Sequence, residues 1–236
     1  MSAVPTGKAL AQPGPARVRQ VLVVNPNTNP AVTQRVRAAA AGLETARVQV
    51  EVANQVRGPF SIETAAERAD AEREAVAYIA QRAAGGFDAY VLACFDDLAL
   101  EGARAIVDAP VIGTCEAGIA AARAVSARLA IVTTFDAAVP GIRALMQRYG
   151  AGPHATVRAA GIGVAAAAGG TQDTLERILQ CARDAVLRDR AEVVLLASGG
   201  LTGLAPALAE AIRRPVVDGV AAAIALAVAQ VGALDR

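Results

Sequence analysis

Short apolar segments alternate with longer amphipathic segments along the chain. Residues 18–24 (VRQVLVV) predict a strand that ends in the loop NPNTNP, and residues 30–41 predict a helix. Thr28 or Asn29 is placed to cap that helix, with Pro30 in its first turn. Residues 48–53 predict a second strand, followed by a helix over about 64–84 that two glycines end. This alternation predicts an α/β fold with parallel strands.

The third predicted strand leads into a cysteine. Residues 87–100 (FDAYVLACFDDLAL) are apolar up to Cys94, and a helix is expected from about 98 to 107. In open α/β sheets ligands bind at the carboxyl ends of the strands, which makes Cys94 a candidate reactive thiol. The alternative is an inert buried thiol, which is common for cysteine. Asp96 and Asp97 are expected to cap the following helix and to raise the thiol pKa, while backbone N–H groups of the turn would lower it.

The second half of the chain repeats the pattern of the first. Residues 129–145 are similar to residues 21–36, and residues 192–217 are similar to residues 89–112. Cys94 falls opposite Ser198, at an offset of 104 residues. We therefore expect two similar lobes about a pseudo-two-fold axis, with Cys94 and Ser198 on opposite walls of one cleft. The alternative is that any two strand–helix units look alike in a sequence rich in Ala and Val.

The repeat also predicts the limits of the lobes. The first lobe is expected to comprise residues 18–114 together with 219–236, and the second residues 115–218. Residues 1–17, rich in Pro, Gly and Ala, are expected to form a mobile tail without the apolar segment of a secretory signal.

Composition narrows the functional classes. With 54% hydrophobic and 19% charged residues in 236, the chain is expected to be a soluble globular protein. The 23 basic and 22 acidic residues are well mixed and aromatic residues make up 3%, so neither nucleic acid nor a membrane is an expected partner. Three cysteines without a CxxC pair and one histidine, His154, make a zinc site or a histidine base improbable. A cytoplasmic location is expected.

Six motifs in order carry a family resemblance. They are VVNPNTNPAVT near the start, GPFSIE at 58–63, ACFDD around Cys94, APVIG at 109–113, IVTT at 131–134 and PVVDGVAAAI at 215–224. Together they resemble the hydantoin/allantoin racemase branch of the aspartate/glutamate racemase superfamily, over about residues 18–234. The resemblance implies two flavodoxin-like lobes and a cofactor-independent racemase or epimerase. The implied substrate is a small carbon acid: a hydantoin, allantoin or a derivative of an amino acid such as Asp or Glu. A homo-oligomer is also expected.

The resemblance implies two catalytic cysteines, one on each side of the substrate carbon. The first corresponds to Cys94. The second position holds Ser198, in the sequence Ala-Ser-Gly-Gly where the family typically shows Gly-Cys-Ala-Gly. A serine hydroxyl is a far weaker acid than a thiol and, without an adjacent base, a poor proton acceptor. We expect two-base racemisation to be impaired or redirected.

Several explanations for Ser198 stay open. The protein could be a one-thiol decarboxylase or a cis–trans isomerase, or a non-catalytic ligand-binding relative. The serine could be an introduced Cys-to-Ser change, or another residue could replace the thiol. Cys115 is the nearest candidate for that replacement but is expected on the same side as Cys94, as a packing residue.

Substrate-binding residues are expected around the same cleft. Glycines at 199 and 200 permit close approach of the backbone to a ligand, and backbone amides there can meet a developing enolate oxygen. For Thr133 and Thr134 the alternative is helix capping. The predicted set is Asn27, Ser61, Phe95, Thr133, Thr134, Gly199 and Gly200, with Ser61 in a loop that closes over the substrate together with Glu63.

Overall fold

The computed structural model describes residues 17–233, which contain two four-stranded parallel sheets. The first sheet has the order β2-β1-β3-β4. Its strands are β1 (Arg19–Asn25), β2 (Val48–Asn54), β3 (Ala89–Leu92) and β4 (Val111–Gly113). The helices between them are α1 (Pro30–Ala41), α2 (Ala65–Arg82) and α3 (Leu100–Arg104).

The second sheet repeats the order of the first, as β6-β5-β7-β8. Its strands are β5 (Leu129–Thr133), β6 (Thr156–Ala159), β7 (Val193–Leu196) and β8 (Val216–Asp218). The remaining helices are α4 (Thr114–Val125), α5 (Val139–Arg148), α6 (Val164–Gly169), α7 (Gln172–Leu187), α8 (Ala205–Ile212) and α9 (Gly219–Gly232). The predicted α/β fold with two similar lobes is confirmed, and β3 and β7 hold equivalent positions in their sheets.

The two lobes exchange one helix each. Helix α4 follows β4 of the first sheet, but its Cys115 and Ile119 pack in one core cluster with Leu195 of the second sheet. Helix α9 follows β8 of the second sheet, and its Ile224 packs with Val23 of the first sheet. The predicted lobe limits fall at the beginnings of these two helices and stay a prediction.

Local sequence signals account for most element boundaries. The Oδ1 atom of Asn29 accepts a hydrogen bond from the Ala31 N–H, and Pro30 begins α1, as expected. At α2, Thr64 and Glu67 form a capping box. Helix α3, at five residues, is much shorter than the expected 98–107.

The expected capping of the helix after Cys94 is wrong. The N-cap residue of α3 is Ala99, which makes no side-chain cap bond. Asp96 instead pairs with Arg68, and Asp97 binds the beginning of α4. The turn has left-handed φ angles of 49° at Asp97 and 64° at Ala99, so the chain turns too sharply for a helix to begin directly after Cys94.

The termini are described only in part. Of the predicted tail, all but Arg17 lies outside the described residues, and the Nη2 atom of Arg17 donates to the Gly86 carbonyl at 2.9 Å. At the other end, the described chain stops at residue 233. Among the helices between residues 17 and 233, none combines the length and the apolar character needed to cross a membrane.

The exchanged packing of α4 makes Leu195 a sensitive core position. Leu195 is fully buried, and we expect Leu195→Ala to lower the free energy of unfolding by about 2–5 kcal/mol because it leaves a cavity. Urea unfolding followed by circular dichroism measures this change. Leu187→Ala is the matched control, because Leu187 is 77% exposed and such a change is expected within about 0.5 kcal/mol of zero. Equal effects of the two substitutions would contradict this account of the core.

Candidate active site

A cavity of about 50 Å³ lies between the carboxyl ends of the two sheets. Cys94 reaches it from the turn after β3, and Ser198 reaches it from the turn after β7. The sequence repeat therefore places the two residues at equivalent positions around one cavity. Its lining residues are Asn27, Ile62, Ala93, Cys94, Phe95, Asp96, Thr133, Thr134, Phe135, Ala138, Val164, Ala197, Ser198 and Gly199.

The Cys94 thiol is held in its protonated form by its surroundings. Burial is the main reason that its pKa lies well above the usual value, and the negative charge of Asp96 raises this pKa further. The backbone N–H of Asp96 donates to the thiol and the positive charge of Arg68 acts in the same direction, so both favour the thiolate. Burial outweighs these two effects, so the pKa of Cys94 is raised. The sequence alone did not show whether the carboxylates or the backbone N–H groups would prevail.

Asp96 and Arg68 form an ion pair at the edge of the cavity. The Nη2 atom of Arg68 also donates to the backbone carbonyl of Asp96 at 3.2 Å. Arg68 lies on α2, so the pair fixes the turn that carries Cys94 to a helix of its own lobe. Asp96 is the one charged residue among those lining the cavity, and its charge is balanced by this guanidinium.

Ser198 has the position of a second acid–base group but lacks the neighbours of an activated one. Its Oγ atom accepts a hydrogen bond from the Gly200 N–H at 3.2 Å. Within residues 17–233 no carboxylate or imidazole is hydrogen-bonded to this hydroxyl. The hydroxyl can donate a hydrogen bond into the cavity, but it has no base to take up its proton.

Asn27 presents a donor to the cavity. Its Oδ1 atom accepts from the backbone N–H of Asn29 and from Nδ2 of Asn25, both at 3.0 Å. A backbone N–H can only donate, so this contact fixes which end of the amide is the oxygen. The Nδ2 group of Asn27 has no acceptor within the described part of the chain and is left for a ligand oxygen.

Two threonines at the end of β5 differ in their bonding. The Oγ1 atom of Thr133 donates to the Ala197 carbonyl at 3.0 Å, which ties β5 to the turn that carries Ser198. Thr134 is fully buried and its hydroxyl has no hydrogen-bond partner within residues 17–233. Neither hydroxyl caps a helix. A buried hydroxyl without a partner is costly, so Thr134 is a candidate ligand contact.

Two predicted residues lie beside the cavity rather than in its lining. Gly200 is buried, and its N–H is taken by Ser198. Ser61 donates from its hydroxyl to Oε1 of Glu63 at 2.8 Å. The same Glu63 oxygen accepts from the N–H of Val164 in the second lobe at 2.9 Å, so this loop bridges the lobes.

The structure adds apolar residues that sequence reasoning missed: Ile62, Phe135, Ala138 and Val164. Ile62 lies within the GPFSIE motif and Phe135 follows the threonine pair. Both could have been predicted to line the cavity, because they adjoin residues that were predicted to bind substrate. No such signal marks Val164, which comes from α6. A groove of about 430 Å³ adjoins the cavity and shares Ile62, Asp96, Phe135 and Ala138 with it.

Groups for metal or histidine chemistry are not gathered here. His154 is exposed and does not line the cavity. In the part of the chain that the structure describes, no three His, Cys, Asp or Glu side chains are close enough to hold a metal ion. The other two cysteines, Cys115 and Cys181, lie in core clusters.

Fold and site together define a class: an α/β enzyme with two similar lobes and a thiol in the cleft between them. Comparison with known proteins makes this specific. Residues 21–227 match the family described as Asp/Glu/Hydantoin racemase. A hydantoin racemase of Rhizobium meliloti is 36% identical over 212 residues, covering 89% of this chain and 88% of the relative. A hydantoin racemase of Paenarthrobacter aurescens is 32% identical, covering 88% and 89%.

A solved structure of a relative has the same fold. An allantoin racemase from Klebsiella pneumoniae superposes with a TM-score of 0.87 at 31% identity, covering 91% of this chain and 88% of that one. The chain belongs to the Asp/Glu/Hydantoin racemase family, a family of isomerases. The predicted resemblance to its hydantoin/allantoin branch is confirmed.

Burial of the Cys94 thiol predicts low reactivity at neutral pH. Because its pKa is raised, the thiolate fraction should be smaller than that of free cysteine, and the rate of alkylation should increase as the pH rises through the alkaline range. Iodoacetamide labelling followed by peptide mass spectrometry measures the rate at each cysteine. Cys94→Ala identifies the Cys94 signal. Alkylation of Cys94 faster than that of free cysteine at neutral pH would contradict this picture.

Proposed function

We propose that the protein is a cofactor-independent racemase or epimerase of uncharged cyclic carbon acids of the hydantoin or allantoin type, with Cys94 as its proton-transfer group. The observation that carries the proposal is the cavity between the lobes, where a thiol faces a hydroxyl and donors for a carbonyl oxygen. Family membership and the hydantoin and allantoin racemases among its relatives support it.

The charge of the cavity favours a neutral ring over an amino acid such as Asp or Glu. Among residues 17–233, no Lys, Arg or His lines the cavity, and the one charged residue that does, Asp96, is negative. A dicarboxylate would bring two further negative charges into a buried site without a partner, which is costly. A hydantoin ring instead offers carbonyl oxygens and N–H groups, which the Nδ2 group of Asn27 and the hydroxyls of Thr134 and Ser198 can bind.

Proton transfer then proceeds on the Cys94 side. The Cys94 thiol first gives its proton to solvent water, and the thiolate then removes the proton α to the carbonyl, which becomes the new S–H proton. The electron pair of the broken C–H bond moves onto the carbonyl oxygen, where Asn27 and the backbone N–H groups of the turns are the donors proposed to stabilise the enolate. Reprotonation by the same thiol returns the starting enantiomer. Inversion requires a proton from the Ser198 side, which a hydroxyl supplies slowly.

This asymmetry predicts that α-proton exchange outruns racemisation. In deuterated buffer the thiol that has taken up the α-proton exchanges it with solvent, so the hydantoin enantiomer whose proton faces Cys94 should gain deuterium at least about tenfold faster than it loses optical activity. Proton NMR and polarimetry on one sample measure the two rates. Cys94→Ala should abolish both. Equal rates for both processes would show that Ser198 transfers protons as well as a thiol does.

Restoring a thiol on the second wall should remove the asymmetry. We expect Ser198→Cys to raise the racemisation rate by about 10²-fold or more, the range typical of a positioned acid–base group, with a smaller effect on exchange. Polarimetry with single-enantiomer 5-substituted hydantoins and allantoin measures this change. Ser198→Ala is the control for loss of the hydroxyl. An unchanged racemisation rate in Ser198→Cys would mean that this wall takes no part in proton transfer.

A one-thiol decarboxylase is the second candidate, favoured by the raised pKa of Cys94 and the unactivated Ser198. In that reaction a malonate-type substrate loses carbon dioxide, the bonding pair forms an enolate, and the protonated thiol delivers its proton to one face. The cavity argues against this dianionic substrate, because no basic side chain among the described residues lines it. Carbon dioxide release from a substituted malonate, with no hydantoin exchange, would establish this reaction instead.

The adjoining groove is proposed to hold the substituent of the ring. Gly141 of α5 lines the groove, and a Cβ atom added there meets no atom within 4 Å. Gly141→Leu should therefore fold normally but fill the groove, lowering kcat/KM for 5-benzylhydantoin by about tenfold or more, since overpacking costs about 1–3 kcal/mol.

Two comparisons test the groove. The kcat/KM of Gly141→Leu for 5-methylhydantoin should stay close to that of the wild type, and Gly141→Ala is the matched control for the loss of a helix glycine. Equal losses for both hydantoins would place the substituent elsewhere.

A further inference from the structure

Asp97 joins the turn that carries Cys94 to the second lobe. It follows Cys94 by three residues, and its N–H donates to the Cys94 carbonyl at 3.1 Å. Its φ of 49° lies in the left-handed region, which Asp tolerates better than most residues. The residue is 8% exposed. A buried carboxylate in this conformation needs partners that hold it there.

The carboxylate is bound by α4 and lies close to the residue that follows α5. Its Oδ1 atom accepts from the Cys115 N–H at 2.8 Å, and its Oδ2 atom accepts from the Glu116 N–H at 3.0 Å, both in the first turn of α4. The Tyr149 hydroxyl, directly after α5, is close enough to lower the pKa of this carboxylate. Gly113 leaves the necessary room, because a Cβ atom there would lie 2.5 Å from the carboxylate carbon of Asp97.

Both of these helices belong to the packing of the second lobe. Cys115 of α4 and Tyr149 pack in the cluster that contains Leu195 of β7. At the other end of α5, Ala138 immediately precedes the helix and lines the cavity. One carboxylate thus connects the turn on the Cys94 wall to elements that form the opposite wall.

We propose that Asp97 is a positioning residue that sets the place of the Cys94 thiol relative to the second lobe and thereby to the bound substrate. The inference rests on the proposed role of Cys94 in proton transfer. A misplacement of about 1 Å at a reacting group can cost a factor of about 10² in rate. Asp97 itself faces α4 and α5 and does not line the cavity, so it acts through the turn.

The charged groups around Asp97 define its expected pH dependence. Glu116 approaches from α4, where its own carboxylate binds Arg104 and the Gly113 N–H. Arg148 lies beside Tyr149 and pairs with Glu101 of α3, and Asp96 precedes Asp97 in the turn.

The balance of these surroundings gives the sign of the pH effect. Burial raises the pKa of Asp97 to about 6, although the two backbone N–H groups and the Tyr149 hydroxyl oppose the shift. Protonation below this value removes an acceptor and weakens the link to α4. The rate of exchange should therefore fall as the pH falls through about 6.

The stability of the fold should change in the opposite direction. An acid whose pKa is raised in the folded state favours folding when protonated, and this contribution is lost as the pH rises through about 6. A neutral Asn at position 97 should therefore not unfold the protein at neutral pH. Loss of activity with retained stability separates positioning from a merely structural role.

The test is Asp97→Asn in the α-proton exchange of a hydantoin, with kcat and KM measured across the pH range around 6. We expect kcat to fall by about 10- to 100-fold with little change in KM, and the acid limb of the wild-type profile to disappear. Tyr149→Phe removes a donor that lowers the pKa of Asp97, so it should keep the limb and move it to higher pH. Asp108→Asn, at an exposed acid, is the control for loss of a negative charge.

The outcomes separate this inference from the proposed function. An unchanged kcat or a persisting limb in Asp97→Asn would overturn the positioning role. If the wild type exchanges no α-proton, the proposed function fails, and the positioning role of Asp97 falls with it. A measurement that needs no turnover checks the anchor, meaning the two hydrogen bonds that the Asp97 carboxylate accepts from α4. Amide hydrogen exchange at Cys115 and Glu116 should accelerate in Asp97→Asn and not in Asp108→Asn. No acceleration would show that the anchor does not hold the beginning of α4.

Discussion

Burial of polar groups at the carboxyl ends of the two sheets is the constraint on which the cleft between the lobes depends. Burial keeps the Cys94 thiol protonated against the pull of the Asp96 N–H and of Arg68. It also makes the Thr134 hydroxyl, which has no partner within residues 17–233, costly unless a ligand satisfies it. A neutral ring with carbonyl oxygens fits these demands. A buried site has a low local dielectric constant, which strengthens hydrogen bonds from its donors to a carbonyl oxygen of a ligand.

The two walls of the cleft are alike in backbone and unlike in chemistry. Cys94 and Ser198 follow equivalent strands of sheets with the same order. The turn after β3 holds its thiol between an ion pair and a carboxylate anchor. The turn after β7 is built from glycines, and its hydroxyl is bonded to its own backbone. Pseudo-symmetry therefore supplies two equivalent positions at the cavity, and the local side chains give them different chemistry.

Sequence patterns predicted the parts of this structure that depend on local chemistry. A cap at Thr28 or Asn29 and a strand leading to Cys94 follow from propensities of neighbouring residues, although β3 ends two residues before Cys94, and the repeat predicted the two lobes. The pattern missed β6, an edge strand of the second sheet whose four residues are all half-buried and so lack an apolar signature. It misassigned Asp97, because the partner of that carboxylate, α4, is brought there only by tertiary packing. Val164 of α6 likewise lines the cavity only because tertiary packing brings α6 there.

The exchange of helices has a consequence for how the chain reaches its fold. The first sheet is completed near residue 113, yet its core includes Val220, Ile224 and Val231 of α9, at the far end of the chain. When a ribosome-bound chain has emerged only to the end of the second sheet, the apolar face of the first sheet is still exposed. Helix α9, which covers this face, has not yet emerged. Contacts of such long sequence separation slow folding and leave intermediates open to aggregation. The core of the first lobe is thus completed only after the second sheet has been synthesised, and deletion of turns of α9 should destabilise the first sheet.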